Sequence, residues 1–232
     1  TGIDGNEHNN DARFSGAAYV FSRSGDRWSR QAYIKASNTE EKDAFGSAIA
    51  LSADGQLLAV GATQEDSKAS GINGNQQDNA AKNAGAVYIF ARRSNSWQQQ
   101  AYIKAGSNRA PSITGEVPGS RYYFGSALAL DGDGKLLAVG ASGDTSEVAG
   151  LNGNPSDYGS AEGATGAVYV FARKGDQWTQ HAYVKSPNPD ARDRFGNALA
   201  LSRDGETLAV SAFSENSLAA GVCATGEPGC AA

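Results

Sequence analysis

The sequence predicts an all-β protein, namely a β-propeller built of four-stranded antiparallel blades, with about three blades' worth of strands in 232 residues. Three observations predict this fold. The stretch GAVYIFARRSNSWQQQAYIKA at residues 85–105 recurs at 16–36 and at 166–186. Its residues alternate with the period of two that β-strands have. Units of four short strands, repeated along a chain, are typical of propeller blades, whereas a β-sandwich would not explain the repeat.

The first strand of each unit starts at a Phe-Gly pair, as FGSAIALS, FGSALALD and FGNALALS at residues 45–52, 124–131 and 195–202. An Asp-Gly turn follows, because glycine supplies the positive φ that tight hairpin connections need. The second strand reads LLAVGA, LLAVGA and TLAVSA at residues 57–62, 136–141 and 207–212. A continuous apolar run predicts a strand that is buried on both faces.

The repeated hairpin supplies the third and fourth strands, which are joined by the short polar turns SGD, SNS and KGD. Small residues recur at the same places in the first two strands of each unit, and they allow neighbouring sheets to approach closely. The units are predicted as the second half of a blade at 1–40, full blades at 41–120 and 121–190, and the first half of a blade at 191–232.

Half-blades expose strand edges, and exposed edges invite pairing with other strands. Two explanations are open. The chain is a segment of a longer propeller, which we favour, or copies of it associate so that the terminal half-blade of one completes that of another.

Charge and hydropathy exclude two classes of partner. The net charge is −5 and no run of like charges occurs, which argues against a nucleic-acid surface. No apolar run reaches the roughly 18 to 20 residues that cross a bilayer, so no membrane span is expected.

The Phe-Gly start, the LAVGA strand and the GAVYVF strand together resemble FG-GAP repeats, the units of the seven-bladed propeller in integrin α-subunits and of many bacterial surface and secreted proteins. The chain departs from the motif at its third element, which reads Gly-Ala-Thr, Gly-Ala-Ser and Ser-Ala-Phe. The resemblance implies an extracellular, cell-surface or periplasmic protein that binds a protein or glycan partner, or further blades from the same or another chain.

Integrin-like blades also bind calcium between their first two strands, through a series of spaced acidic or amide residues, because Ca²⁺ takes about six to eight oxygen ligands. In the turn DGDG only Asp131 and Asp133 match that series, and we therefore interpret the turn as a hairpin connection. No cofactor is expected. The alternative is a calcium ion, bound at this turn or at a second loop.

The second loop lies between strands two and three and shares the pattern G-[IL]-[DN]-G-N in all three copies. One interpretation is cation capture; the other, which we favour, is an ordered loop in which the side chains bond their own backbone. The candidate ligands are Asp4, Asn6, Asn73, Asn75, Asp78, Asn152, Asn154 and Asp157.

Cys223 and Cys230 bracket the flexible loop CATGEPGC and are predicted to close a small disulfide ring, with two unpaired thiols as the alternative. For recognition, the aromatic residues Tyr122, Tyr123 and Tyr158 break the repeat pattern and are expected on the surface.

No nucleophile–base motif, phosphate loop or metal motif occurs in the sequence, so no catalytic residue and no enzyme activity are predicted. The expected function is a non-catalytic extracellular binding or adhesion module. The alternatives are a structural scaffold subunit of a larger assembly and the accessory propeller of a secreted hydrolase.

Overall fold

The computed structural model describes residues 2–106, 122–154 and 163–218. In this part of the chain all regular secondary structure is β. The strands are β1 (Ala18–Ser24), β2 (Arg27–Ile34), β3 (Phe45–Leu51), β4 (Leu57–Ala62), β5 (Ala86–Arg93), β6 (Ser96–Ile103), β7 (Phe124–Leu130), β8 (Leu136–Ala141), β9 (Ala167–Lys174), β10 (Gln177–Val184), β11 (Leu199–Leu201) and β12 (Leu208–Val210).

The strands form two antiparallel four-stranded sheets and two strand pairs. The first full blade has the order β3-β4-β5-β6 and the second full blade β7-β8-β9-β10, while β1-β2 is the first half-blade and β11-β12 the last half-blade. Sequential neighbours pair throughout, as in a propeller blade. The predicted fold class is confirmed, and the described sheets do not close into a ring.

Tight turns join the first two strands of each unit. In the β3–β4 turn, Asp54 accepts hydrogen bonds from the Ser52 hydroxyl at 2.6 Å and from the Gln56 backbone N–H at 2.9 Å. The last half-blade repeats this arrangement with Ser202 and Asp204. The side chains therefore hold the Asp-Gly turn in the geometry that the hairpin requires.

Glycine allows successive blades to touch at their backbones. Gly85 at the start of β5 forms a parallel bridge with Phe124 at the start of β7, and the same bridge joins Gly16 to Phe45 and Gly166 to Phe195. The φ angle of Gly85 is +81°, and a Cβ there would lie 2.3 Å from the Phe124 carbonyl oxygen. No other residue type fits this junction.

Apolar cores lie between successive sheets, because alternate residues of one strand face opposite neighbours. In β5, Val87 and Ile89 face the second full blade and belong to the core between the two full blades. Tyr88 and Phe90 face the other way and belong to the core shared with the first half-blade. A smaller core joins the second full blade to the last half-blade.

The inner strand β4 is buried along its whole length, and β8 is buried from its second residue onward, as the continuous apolar run predicts. For β12 this prediction is wrong, because Leu208 and Val210 are only partly buried and Ala209 is exposed. β12 packs on the second full blade with one face, and no described strand covers its other face or its outer edge.

Candidate functional site on the loop face

The long connections of every unit lie at one end of the sheets, because antiparallel strands place their connections alternately at the two ends. We call this end the loop face; its described residues are 2–17, 35–44, 63–85, 104–106, 122–123, 142–154, 163–166, 185–198 and 211–218. The opposite end, the turn face, holds the short turns at 25–26, 52–56, 94–95, 131–135, 175–176 and 202–206. Backbone hydrogen bonds from Ala53 to Gly132 and from Gly132 to Arg203 link successive turns there.

The G-[IL]-[DN]-G-N loop is pinned to the fourth strand at the same point in all three copies. Asp4 Oδ1 accepts the backbone N–H of Tyr33 at 2.9 Å. Asn73 and Asn152 accept the N–H groups of Tyr102 and Tyr183, each at 3.0 Å. The three acceptor residues have φ between 51° and 57°, a left-handed conformation that Asn and Asp tolerate.

Further along this loop the other predicted ligands also bond backbone groups. Asn6, Asn75 and Asp78 accept the N–H of the residue two positions ahead, at 3.1, 3.0 and 2.8 Å. Asn154 also interacts with a neighbouring group, and Asp157 lies outside the described residues. This geometry supports the ordered-loop interpretation. The described residues contain no cluster of three or more His, Cys, Asp or Glu that could hold a metal ion.

The DGDG carboxylates lie at the turn face. Asp131 is buried, and its Oδ1 accepts the backbone N–H groups of Lys135 at 2.7 Å and Leu136 at 3.1 Å. Asp133 is exposed and pairs with the Lys135 ammonium at 2.9 Å. Both side chains thus stabilise the β7–β8 connection.

The expectation that Tyr122 is an exposed recognition residue is wrong. Its side chain is only 6% exposed, and its hydroxyl donates to Asp144 Oδ2 at 2.6 Å. Tyr122 lies where the other units have Asp43 and Asp193, so it fills that position beneath the loops. Tyr123 is half-buried and interacts with another group of the protein. Its backbone φ is 52°. Tyr158, Cys223 and Cys230 lie outside the described residues.

A buried lysine–carboxylate pair beneath the loops is the feature that sequence reasoning missed. In the first full blade the Lys104 ammonium lies 2.6 Å from Glu65 Oε2, and both side chains are at most 3% exposed. In the second full blade Lys185 lies 3.3 Å from Asp144, and both are fully buried. Burial lowers the pKa of both lysines below the ordinary value, and the facing carboxylates oppose that shift.

The signal for these pairs was present in the repeat. A lysine ends the fourth strand as AYIKA, AYIKA and AYVKS, and an acid follows the second strand in GATQEDS, GASGDTS and SAFSENS. The lysine and the acid lie 39 positions apart in the first full blade and 41 positions apart in the second, so only the paired strands bring them together. The two charges of each pair are buried and neutralise each other, so they are not exposed to a ligand.

Asp43, also beneath the loops, has an unusual environment. Its carboxylate is buried and accepts the Glu40 backbone N–H at 2.9 Å. Burial raises its pKa to about 6, with the nearby charges of Glu65, Glu40 and Asp66 acting in the same direction. Asp43 therefore titrates in a mildly acidic range.

A cavity of about 280 Å³ opens in the first half-blade, at the place where the full blades hold the buried pair. Lys35 lines it, and its ammonium donates to the Ser15 hydroxyl and to the Gly16 carbonyl, both at 2.6 Å. Asp11 also lines the cavity, but among the described ion pairs none involves Lys35. Lys35 thus shares the cavity with Asp11 and is influenced by the charge of Asp43, but unlike Lys104 and Lys185 it has no described ion pair.

Large apolar side chains are exposed on the loop face outside the strands. They are Phe14 (74% exposed), Leu151 (72%), Phe213 (59%) and Leu218 (101%). The described turn-face residues include no large apolar side chain. Exposed apolar groups rimmed by polar side chains are typical of binding surfaces.

Comparison with known proteins agrees with the fold. Residues 28–90 match the family model of the FG-GAP repeat, a span that runs from Trp28 in β2 to Phe90 in β5. A search of curated protein sequences found no match to the chain. The described part of the chain has no helix long and apolar enough to span a membrane.

Proposed function

We propose that the chain is a non-catalytic, extracellular binding module, a role supported by the match of residues 28–90 to the FG-GAP repeat and by the propeller-type blades. Its loop face engages a protein or glycan partner, as adhesion modules of this kind do. The observation that supports this role most directly is the exposure of Phe14, Leu151, Phe213 and Leu218 on one face of the molecule.

The repeat separates a constant framework from a variable face. Strands, turns and blade junctions have nearly the same residues in each unit, so they explain the fold rather than a specificity. The loop residues differ: Phe14 corresponds to Asn83 and Ala164 in the other units. Recognition residues are commonly held on loops by a rigid scaffold, which is the arrangement found here.

Location outside the cell, at the cell surface or in a periplasm is part of the proposal. The FG-GAP match supports it, because such repeats occur in extracellular proteins. We propose further that binding needs no calcium, since the oxygens of Asp4, Asn73 and Asn152 already accept backbone N–H groups.

Binding can be tested with the purified chain on a glycan array and on immobilised collagen, fibronectin and fibrinogen. We expect saturable binding to one member of these panels. Leu151→Ser and Phe213→Ser should weaken it at least about tenfold, since central apolar contacts dominate binding energy. Lys135→Ser on the turn face is the matched control and should bind like the unchanged protein.

The assignment of the loop face would be contradicted if Lys135→Ser weakened binding as strongly as Leu151→Ser and Phe213→Ser do. The absence of binding on every panel would favour the alternative role as a structural subunit of a larger assembly.

A further inference from the structure

A closed polar cluster in the second full blade surrounds the buried pair of Lys185 and Asp144. Both side chains are fully buried, and the Lys185 ammonium lies 3.3 Å from Asp144 Oδ1. Lys185 follows β10 and Asp144 follows β8, so the pair joins two connections of the same blade. The cluster is formed by side chains between residues 122 and 185, in the interior of the described chain.

Tyrosine hydroxyls converge on the other oxygen of Asp144. Oδ2 accepts the Tyr122 hydroxyl at 2.6 Å and the Tyr183 hydroxyl at 3.2 Å. The Tyr169 hydroxyl lies 3.5 Å from the same oxygen and shares a hydrogen bond with the Tyr122 hydroxyl. Donors that are fixed around one oxygen in a water-free site stabilise negative charge that develops there, as an oxyanion hole does.

The amine of Lys185 is held beside the same carboxyl group. Its Nζ donates to the Thr165 hydroxyl at 2.5 Å as well as to Asp144. Burial lowers the pKa of Lys185 below its ordinary value, while the charge of Asp144 opposes that shift. A desolvated lysine loses its proton more easily, and the neutral amine is a nucleophile.

Tyr122 distinguishes this cluster from the equivalent one in the first full blade. The same repeat position is Asp43 there, and its charge and that of Glu65 disfavour each other. Further negative charge on Glu65 is therefore opposed, whereas the Tyr122 hydroxyl stabilises it on Asp144. The exchange of an acid for a tyrosine makes the second full blade the one suited to chemistry at its carboxyl group.

We propose that Lys185 and Asp144 condense within the folded chain to an isopeptide bond between their side chains. Lys185 transfers one proton to Asp144, and its neutral Nζ attacks Cγ. Negative charge forms on Oδ2, beside the hydroxyls of Tyr122 and Tyr183. A second proton passes from Nζ to Oδ1, the Cγ–Oδ1 bond breaks and Oδ1 leaves as water, while the Nζ–Cγ amide bond remains.

The reaction needs no oxidant, cofactor or second protein, because the ion pair contains every atom of the product and of the water. Its driving feature is that the fold holds the two reacting groups together, which replaces an encounter in solution by a step within one molecule. The modification does not involve the proposed partner, so its test stands apart from the test of binding.

The bond gives the second full blade a covalent closure. Residues 144 and 185 lie 41 positions apart, and the segment between them contains β9 and β10. A cross-link of this kind restricts the unfolded chain as a disulfide does. The connections of the second full blade at the loop face are thereby fixed relative to each other.

The test is the intact mass of the purified 232-residue chain, measured in denaturant after reduction of its cysteines. We expect a mass below that of the sequence by one water molecule. Proteolytic digestion should yield a branched peptide in which Lys185 is joined to Asp144. Lys185→Arg keeps the positive charge but has no amine that can attack, so its mass should equal that of its sequence.

Lys104→Arg is the matched control, because it changes the equivalent pair of the first full blade and should still lose one water. Tyr122→Phe keeps the ring but removes the hydroxyl. It should slow the loss of water at least about tenfold, since one donor of an oxyanion hole commonly contributes more than that. Mass spectra at intervals after cell-free synthesis measure the rate, and circular dichroism verifies that each variant is folded.

A folded chain that keeps the full mass of its sequence would overturn the proposal. So would a loss of water that persists in Lys185→Arg, or one that maps to an Asp-Gly turn as a succinimide, because neither contains the branched peptide. Equal rates for Tyr122→Phe and the unchanged chain would overturn the role of the Tyr122 hydroxyl. The peptide map of the unchanged chain decides the question even where a variant does not fold.

Discussion

The hairpin of β5 and β6 and the hairpin of β1 and β2 have nearly the same sequence pattern and nearly opposite environments. Phe90 is 1% exposed, whereas its counterpart Phe21 is 53% exposed; Trp97 is 4% exposed and Trp28 is 69% exposed. The strands form in both places, with the same antiparallel register. The repeat pattern therefore determines the strands, while the neighbouring sheet determines how much each side chain stabilises the fold.

The largest difference is expected from matched truncations of this aromatic position. Phe90→Ala should lower the free energy of unfolding by about 3–5 kcal/mol, because it leaves a cavity in a closed core. Phe21→Ala should cost about 1 kcal/mol or less in the single chain, since half of its surface is already in water. Denaturant unfolding at concentrations that keep the chain monomeric measures both. Equal losses would contradict the comparison.

Two equivalent carboxylates give a second matched comparison, because Glu65 is in a buried ion pair and Glu215 is exposed. Glu65→Gln should lower the free energy of unfolding by about 3 kcal/mol at neutral pH, because it leaves the Lys104 ammonium buried without a counter-charge. Glu215→Gln, in the last half-blade, should change it by roughly 0.5 kcal/mol or less, since Glu215 is exposed. Denaturant unfolding of the two variants side by side measures the difference.

The pH dependence of the Glu65→Gln variant follows from Lys104. Burial lowers the pKa of Lys104 below its ordinary value of 10.5, and loss of the Glu65 charge lowers it further. A lysine whose pKa is lower in the folded than in the unfolded chain makes stability rise with pH between the two values. The deficit of the variant should therefore shrink as pH rises from neutral toward 10.5, and a constant deficit would argue against a buried lysine charge.

The effect of Asp43 on stability should be smaller than that of Lys104, and its pH dependence should have the opposite direction. Its raised pKa means that the folded chain keeps a proton that the unfolded chain releases, so stability falls as pH rises from about 4 to about 6. Asp43→Asn should therefore be more stable than the unchanged protein at neutral pH, with the gain vanishing below about pH 4. Thermal melting across this range measures the difference.

Asp54 on the turn face is the control for Asp43. Hydrogen bonds from Ser52 and from the Gln56 backbone hold its pKa below the ordinary value. That carboxylate stabilises the fold when ionised, so Asp54→Asn should become less stable than the unchanged protein as pH rises. The distinction between the two ends of the sheets would be contradicted if, as pH rises, both variants gained stability relative to the unchanged protein or both lost it.

The smallest effect is expected from calcium. Adding Ca²⁺ should leave the melting temperature of the chain unchanged within error, because the loop oxygens that were candidate ligands already bond backbone N–H groups in each unit. A large stabilisation that a chelator reverses would show instead that these loops bind the ion.

Residue patterns were enough to predict the strands, the turns and the fold class, because the period of two and the Asp-Gly turns are local properties. They were not enough for Tyr122, whose burial depends on Asp144 lying within hydrogen-bond distance across the blade. The Lys104–Glu65 pair likewise forms between connections that only the folded sheet brings together. For β12, burial was overestimated because sequence does not show which neighbour a strand has.

Hydrogen exchange of the equivalent strands β1 and β5 tests the central claim most directly, at a concentration at which sedimentation shows single chains. The amides of β5 bond two neighbouring strands, β4 and β6, whereas β1 has only β2. We predict slow exchange throughout Ala86–Arg93 and fast exchange of alternate amides in Ala18–Ser24. Equal protection of the two strands in the single chain would contradict the claim that the neighbouring sheet, and not the repeat sequence, sets local stability.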